Sequence, residues 1–301
     1  MELQPLFRRF DEKIKLYRHQ QGRELTRRGE VILEHLRNNI GVKHKFQHSW
    51  QGSYAMGTGV QPVNGDYDID IAIEFNVCCD DHRPTVVKGW VFDALKSLGP
   101  AEQLEPEVKW RGPCITVYYR TGKEIKYHVD LAIMAKDRNG RDVRLARGKA
   151  NAAPPDQSWE NDDRRSFIEA VEKRFPGVEG EQFRRVIRYL KRWKDEKFPR
   201  DGVSAPSGFA LTVAALQWFR PTRTGSPQNP QDDDLAATSK LVETIRNNFG
   251  RRWDAATRRD MHRLNLPFQY APHDDAMKKM SDDQHQQAYQ RLEKLSSLLT
   301  A

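Results

Sequence analysis

Residues 51–74, QGSYAMGTGVQPVNGDYDIDIAIE, constrain this chain more than any other stretch. The run YDIDIAIE alternates strictly, the period of a β-strand with one face against a core. Tyr67, Ile69, Ile71 and Ile73 share one face, and Asp68, Asp70, Ala72 and Glu74 share the other. The isoleucines give this segment a reason to be a strand, which an Asp-x-Asp on a solvated loop lacks. Two carboxylates are then held side by side on stiff backbone, a geometry suited to a divalent cation. Upstream, Gly52-Ser53 stands about fifteen residues before the pair, at a turn that follows the strand-like KHKFQHSW.

A second strand repeats the pattern. CITVYYRTG and KEIKYHVDLAIMA read as a hairpin turning at Thr121-Gly122-Lys123. In the latter, Tyr127, Val129, Leu131 and Ile133 face one way, while His128, Asp130 and Ala132 face the other. Asp130 is thus a third carboxylate on a polar face, on a strand able to lie beside the first. His128 reads as a packed or surface histidine rather than a ligand.

Around these strands the pattern is helical. Residues 3–39 carry apolar positions at Leu6, Phe7, Phe10, Ile14, Leu16 and Tyr17, and a second helix carries Val31, Ile32, Leu33, Leu36 and Ile40 before Gly41. The polar segment NVCCDDHRP reads as a loop, followed by a helix through Val86, Val87, Trp90, Val91, Ala94 and Leu95. Residues 137–165 read as a loop and boundary. Beyond it the chain is expected to be almost purely helical, with a turn-rich break at Pro221–Pro230. The basic helix RRVIRYLKRWKDEK would bury Val186, Ile187, Leu190 and Trp193 and leave most of its bases to solvent. The acidic patches NPQDDD and APHDDAMKKMSDD read as solvated loops or helix starts.

The expected architecture is α+β, with the aspartates in a mixed half at 1–160 and an α-helical half at 161–301. A chain of 301 residues has room for such a division and for a real core. Hydrophobic content of 38% and charged content of 31% describe a soluble globular protein. No apolar run approaches the roughly 18 residues of a membrane helix. The N-terminus lacks the apolar segment of a secretory signal, so a cytoplasmic protein without membrane partners is expected. Cys78, Cys79 and Cys114 are too few and too badly spaced for a disulfide framework or a zinc site. The net charge of +8 favours polyanionic partners.

The chemistry suited to this set is phosphoryl-type transfer. Mg²⁺ prefers oxygen ligands and is usually held by one or two carboxylates plus substrate phosphates. Asp68, Asp70 and Asp130 can together hold two such ions, with Asp130 on the side of the acceptor hydroxyl. A glycine lets backbone approach phosphates, and Ser53 adds a hydroxyl and an amide. In the second half, Lys191, with Lys194 as its rival, is a candidate phosphate contact. Ser207, before Gly208, is placed as a helix N-cap or as a triphosphate contact at a helix start.

QGS, then GT, GDYDIDI, HVDLAI and finally LKRWK with PSGFAL occur in the order found in one family. This chain resembles the cyclic GMP-AMP synthase-like nucleotidyltransferases of bacterial anti-phage defence, within the polymerase-β-like nucleotidyltransferase superfamily. The likeness spans roughly residues 45–215. It implies a polymerase-β-like core with a small mixed sheet and a helical lobe that closes the active-site cleft. It also implies Mg²⁺-dependent joining of nucleoside triphosphates, ATP and GTP among them, into a cyclic di- or trinucleotide, with Mn²⁺ able to substitute. A separate effector protein would read the product. Carried over by motif, Asp68, Asp70 and Asp130 match the metal-binding and catalytic triad. Gln51, Gly52 and Ser53 match the phosphate-binding turn, and Lys191 and Ser207 match donor-triphosphate contacts. The few cysteines argue against direct DNA activation through a zinc insertion. Two other readings stand beside this one: a template-independent enzyme acting on RNA ends or making linear oligoadenylate, and a silent nucleic-acid-binding module.

Overall fold

The computed structural model describes residues 3–16, 20–41, 44–63, 65, 67–100, 104–122, 124–198, 205–226, 228–254, 258–270 and 275–301. Tyr17, Lys123 and the first four residues of DGVSAPSGFAL lie outside them. The elements run α1 (Gln4–Ile14), α2 (Gln20–Asn39), β1 (Phe46–Gln51), α3 (Gly52–Ala55), β2 (Tyr67–Cys78), α4 (Pro84–Leu95), β3 (Glu105–Trp110), β4 (Ile115–Thr121), β5 (Glu124–Lys136), β6 (Val143–Arg147), β7 (Ser158–Asn161) and α5 (Arg164–Glu172). They continue with α6 (Gly177–Lys197), α7 (Gly208–Trp218), β8 (Arg223–Ser226), β9 (Asn229–Asp232), α8 (Asp234–Asn247), β10 (Gly250–Asp254), β11 (Arg259–Arg263) and α9 (Asp282–Thr300). The fold class is α+β. Contacts divide the chain into a sheet unit, Leu16–Ile168 with Tyr270–Pro272, and a helical unit, Met1–Lys15 with Glu169–Gln269 and His273–Ala301.

The sheet unit is built on a seven-stranded mixed sheet. Its strands run β1-β2-β5-β4-β3, with β6 added beside β5 and β7 beside β6. β2 and β5 are parallel, and every other pairing is antiparallel. The alternating isoleucines do what their spacing predicts. Ile69, Ile71 and Ile73 are fully buried with Val129, Leu131 and Ile133 of β5. Above them lie Leu25, Ile32, Leu33 and Leu36 of α2 and Val87 and Val91 of α4. Gly29 permits the close seating of α2, because a Cβ there would stand 2.7 Å from the Trp50 ring. On the opposite face Ala72, Ala132, Met134 and Leu145 form a small second cluster, which separates the aspartates from the Glu74–Lys136 ion pair at the far end of the strands.

Lys88, on α4, is the unusual core residue. Fully buried, its ammonium donates to the carbonyls of Arg111 (2.7 Å), Gly112 (2.9 Å) and Gly148 (2.9 Å). One side chain thereby ties the β3–β4 turn to the loop after β6. Burial pushes its pKa down to about 8.

Three expectations are corrected. Residues 137–165 are not merely a loop, since they contribute β6 and β7. Their short, charged sequences VRLAR and SWEN carry a weak strand signal and are held by pairing with β5 and with each other. NVC, read as the start of a loop, instead extends β2 to Cys78. The second half is not purely helical, for it carries the ribbons β8–β9 and β10–β11.

The helical unit also overturns the solvated reading of its charges. Arg188 is 1% exposed and grips Asp11 of α1 through two bonds of 2.6 and 2.9 Å. Arg185 binds Asp234 (2.7 and 2.9 Å) and Asp232 (2.9 Å), all three buried. Their partners lie far away in sequence, which is why the basic helix and the NPQDDD patch each look solvated in isolation. Desolvation would raise the Asp234 carboxyl, but the bonds and charge of Arg185 outweigh it and hold the group below its ordinary value. Ser207 caps α7 by accepting from the Ala210 amide (3.0 Å), and Ser281 opens α9 with a capping box.

Candidate active site

The parallel pairing of β2 with β5 sets the site. Asp70 stands opposite Asp130 in register, and Asp68 stands opposite His128. The sidedness of each strand then places all three carboxylates on the face away from the isoleucine core. On its other side β2 pairs with β1, and there Asp70 faces Gln51, whose next residue is Gly52.

Gly52 is required by geometry. Its φ is +61°, and a Cβ there would overlap Asp70 Oδ2 and lie 2.9 Å from Asp70 Cγ. The chain after β1 thus turns directly over the carboxylate, and Ser53 follows in the short α3. The turn closes when Ser53 O accepts from the Thr58 amide (2.9 Å). Gln51 is 4% exposed, and among the described residues its side-chain Oε1 has no hydrogen-bond partner. The sheet unit therefore brings Gln51, Gly52, Ser53, Asp68, Asp70 and Asp130 into one region.

The electrostatics of that region favour a cation. Asp70 is half-buried, and its pKa rises to about 6. Desolvation is the largest cause, followed by repulsion from Asp68 and Asp130, while Arg164 and His128 oppose the rise. Hard carboxylate oxygens under mutual repulsion suit Mg²⁺ or Mn²⁺ chemically. Among the described residues no group of three or more His, Cys, Asp or Glu side chains is poised to hold a metal ion. A divalent ion here would thus draw on phosphate or water oxygens as well, the usual manner for Mg²⁺.

Two residues near the triad escaped the sequence reading. Thr116, 2% exposed on β4, donates its hydroxyl to Asp130 Oδ1 at 2.6 Å. Arg164, at the start of α5, is anchored by Asp162 (2.6 Å) and lies close enough to act on Asp70. The signal for Thr116 was its place in a hairpin. Counting back from the turn misleads, however, because a register shift between Tyr119 and Arg120 moves the pairing by one residue. Without that shift Thr116 would face Val129 rather than Asp130.

Lys191 and Ser207 lie in the helical unit. Lys191, on α6, is 7% exposed, and its Cε would be 3.4 Å from a Cβ on Gly208, so the lysine stem passes the start of α7 beside Ser207. The two residues carried over from the second half of the motif set are therefore neighbours.

Residues 46–134 match the family described as "Cyclic GMP-AMP synthase DncV-like, nucleotidyltransferase domain". That stretch is similar to the DncV-like nucleotidyltransferase domain, in agreement with the resemblance drawn from the motifs. Among solved structures, the chain is similar to the CD-NTase CdnG of Bradyrhizobium diazoefficiens in complex with GTP. The TM-score is 0.70 at 15% identity, covering 100% of this chain and 91% of that one. It is also similar to CdnC of E. coli MS115-1 with ATP, with TM-score 0.63 at 15% identity over 99% and 91% of the two chains. The GTP-bound form of Vibrio cholerae DncV gives 0.56 at 17% identity over 98% and 74%. At these identities the likeness establishes a shared fold. No curated protein matches the sequence. Among the described residues no helix is long and apolar enough to cross a membrane.

Proposed function

We propose that this protein is a Mg²⁺-dependent nucleotidyltransferase that joins nucleoside triphosphates into a cyclic di- or trinucleotide, with release of pyrophosphate. The observation that carries the reading is the register of β2 and β5. It sets Asp70 opposite Asp130 and Asp68 on the same face, under a glycine turn that presses on Asp70. In the related structures the ligands named are GTP and ATP, and a purine triphosphate is the substrate class proposed here.

Asp68 and Asp70 would hold the divalent ions, and Asp130 would complete the set on the acceptor side. Bound there, the ions would neutralise charge building on the reacting phosphate and acidify the attacking hydroxyl. Thr116 occupies Asp130 Oδ1, which leaves Oδ2 as the oxygen able to turn toward the acceptor. Gln51, Gly52 and Ser53 would bound the phosphate side of the site. Lys191 and Ser207 would contact the donor triphosphate, the lysine as a point charge and the serine at the start of α7. A role in anti-phage signalling in the cytoplasm, with a separate effector reading the product, belongs to the same proposal.

Incubation of the purified protein with the four triphosphates and Mg²⁺, followed by mass spectrometry, tests it. The expected result is a phosphatase-resistant cyclic product made without added RNA, and its complete loss in Asp70→Ala with unchanged thermal melting. Near-normal synthesis by the purified Asp70→Ala variant would falsify the assignment of the metal site. RNA-dependent incorporation of label without a cyclic product would transfer the reading to an RNA-end transferase.

A further inference from the structure

The ribbon β10–β11 and its connecting turn contain five arginines, at 251, 252, 258, 259 and 263, against two aspartates, at 254 and 260. Trp253 sits among them and is 61% exposed. Among the described residues its ring contacts no other aromatic side chain and its indole makes no hydrogen bond. A single exposed apolar side chain is ordinary on a protein surface, and what marks Trp253 is its place among arginines. Arg251, Arg258 and Arg259 are exposed and have no carboxylate partner among the described residues. Arg252 is 67% exposed and reaches Asp282 only at 3.8 Å. Arg263 is the one arginine spent on structure, paired at 2.5 Å with Asp282.

The pairing divides these groups between the two faces of the ribbon, with Arg252, opposite Met261, and Arg259, opposite Asp254, on one of them. Antiparallel register sets Arg251 opposite His262 and Trp253 opposite Asp260, so Arg251 and Trp253 share a face. Residues two apart on a strand are separated by about 7 Å, near the spacing of phosphates along an extended single strand. The ribbon is fastened at its base, where Met261 is buried, the His262 ring stacks on Tyr289 at 3.6 Å, and Gln286 accepts from the His262 amide. The base of the ribbon is thus held against α9, while Trp253 and the exposed arginines stand away from it.

We propose that the β10–β11 ribbon binds a single-stranded polynucleotide, with Trp253 stacking on a base, Arg251 on the phosphates beside it, and Arg252, Arg258 and Arg259 on the phosphates where the strand passes round the ribbon. The four cations require a polyanion, and the lone flat ring requires something to stack on. A duplex buries its base faces and offers the tryptophan nothing. An anionic membrane would call for several apolar side chains, and this tip exposes one. The inference concerns the ribbon alone and does not depend on nucleotidyl transfer by the sheet unit.

Fluorescence anisotropy of labelled oligo(dT) and oligo(U) with the full chain tests it, without divalent ions. Both probes are expected to bind, with log affinity falling linearly in log salt. Trp253→Ala should weaken binding by about tenfold, and Trp253→Phe should recover most of it. Replacing Arg251, Arg258 and Arg259 together by Ser should lower the salt slope by about 2. The melting temperature should not move, because none of these side chains is buried. Asp70→Asn should bind like the wild type, which separates this site from the nucleotidyltransferase reading. Absent binding, affinity equal for a duplex, or affinity and slope unchanged in the Trp253→Ala and triple-Ser variants would overturn the proposal. So would binding to phosphatidylserine vesicles in place of oligonucleotides.

Discussion

Thr116→Val isolates one hydrogen bond at the heart of the proposed chemistry. The substitution keeps the side-chain shape at a position only 2% exposed and removes the hydroxyl that donates to Asp130 Oδ1 at 2.6 Å. A hydrogen bond to a charged group contributes about 1.5–3 kcal/mol. If the hydroxyl aims the carboxylate, that energy is lost from the aligned state, and about 1.4 kcal/mol corresponds to a factor of ten in rate or affinity. The expected outcome is a ten- to hundredfold loss, seen as a higher Mg²⁺ requirement and a lower rate of product formation. Direct titration with Mn²⁺, followed by its paramagnetic resonance, should show the weaker ion binding without any turnover. Thr116→Ser restores the donor and should recover most of both properties. A purely structural threonine would lower the melting temperature while leaving the metal titration in place. An unchanged Mn²⁺ affinity and rate in Thr116→Val would refute the reasoning.

Two further predictions rest on other parts of the fold. Gly52→Ala should cost about 1–2 kcal/mol for its left-handed backbone alone. Its Cβ would also displace the Asp70 carboxylate, so synthesis should fall by more than tenfold while circular dichroism shows an intact fold. Asp234 has a folded pKa below its ordinary value, and the sign of its pH effect follows. Its stabilisation is complete above the usual carboxylate pKa and is lost as pH falls through the depressed folded value. Melting temperatures taken from neutral pH to about pH 3 should drop on the acid side. Asp234→Asn should start less stable and lose less on acidification, and an acid limb of unchanged steepness would show that other carboxylates govern it.

Much of the site was legible in the sequence because strand alternation is a local property. The isoleucines of YDIDIAIE and the apolar positions of YHVDLAI announce which face is buried, so Asp68, Asp70 and Asp130 could be assigned to polar faces before any coordinates. Gly52 was visible as a turn, but its necessity was not. That comes from the pairing of β1 with β2, which sets Gln51 across from Asp70 and brings the turn onto the carboxylate. The same limit explains the mistaken solvated reading of Arg185, Arg188 and Asp232. Their charges look exposed along one helix or one loop, and their partners are supplied by segments distant in sequence, 47 residues away for Arg185 with Asp232 and 177 for Arg188 with Asp11.

By itself, then, the sequence determined the carboxylate-bearing strands, the apolar faces that orient them, the helices of both halves and the cap at Ser207. Tertiary structure decided the rest. The parallel alignment of β2 with β5 put Asp70 opposite Asp130, and a one-residue shift in β4 put Thr116 rather than a core-facing neighbour against that same aspartate. Sidedness repeats every two residues and is written locally. Register is a relation between strands, set by packing and by a single irregularity, and it is written in neither strand alone.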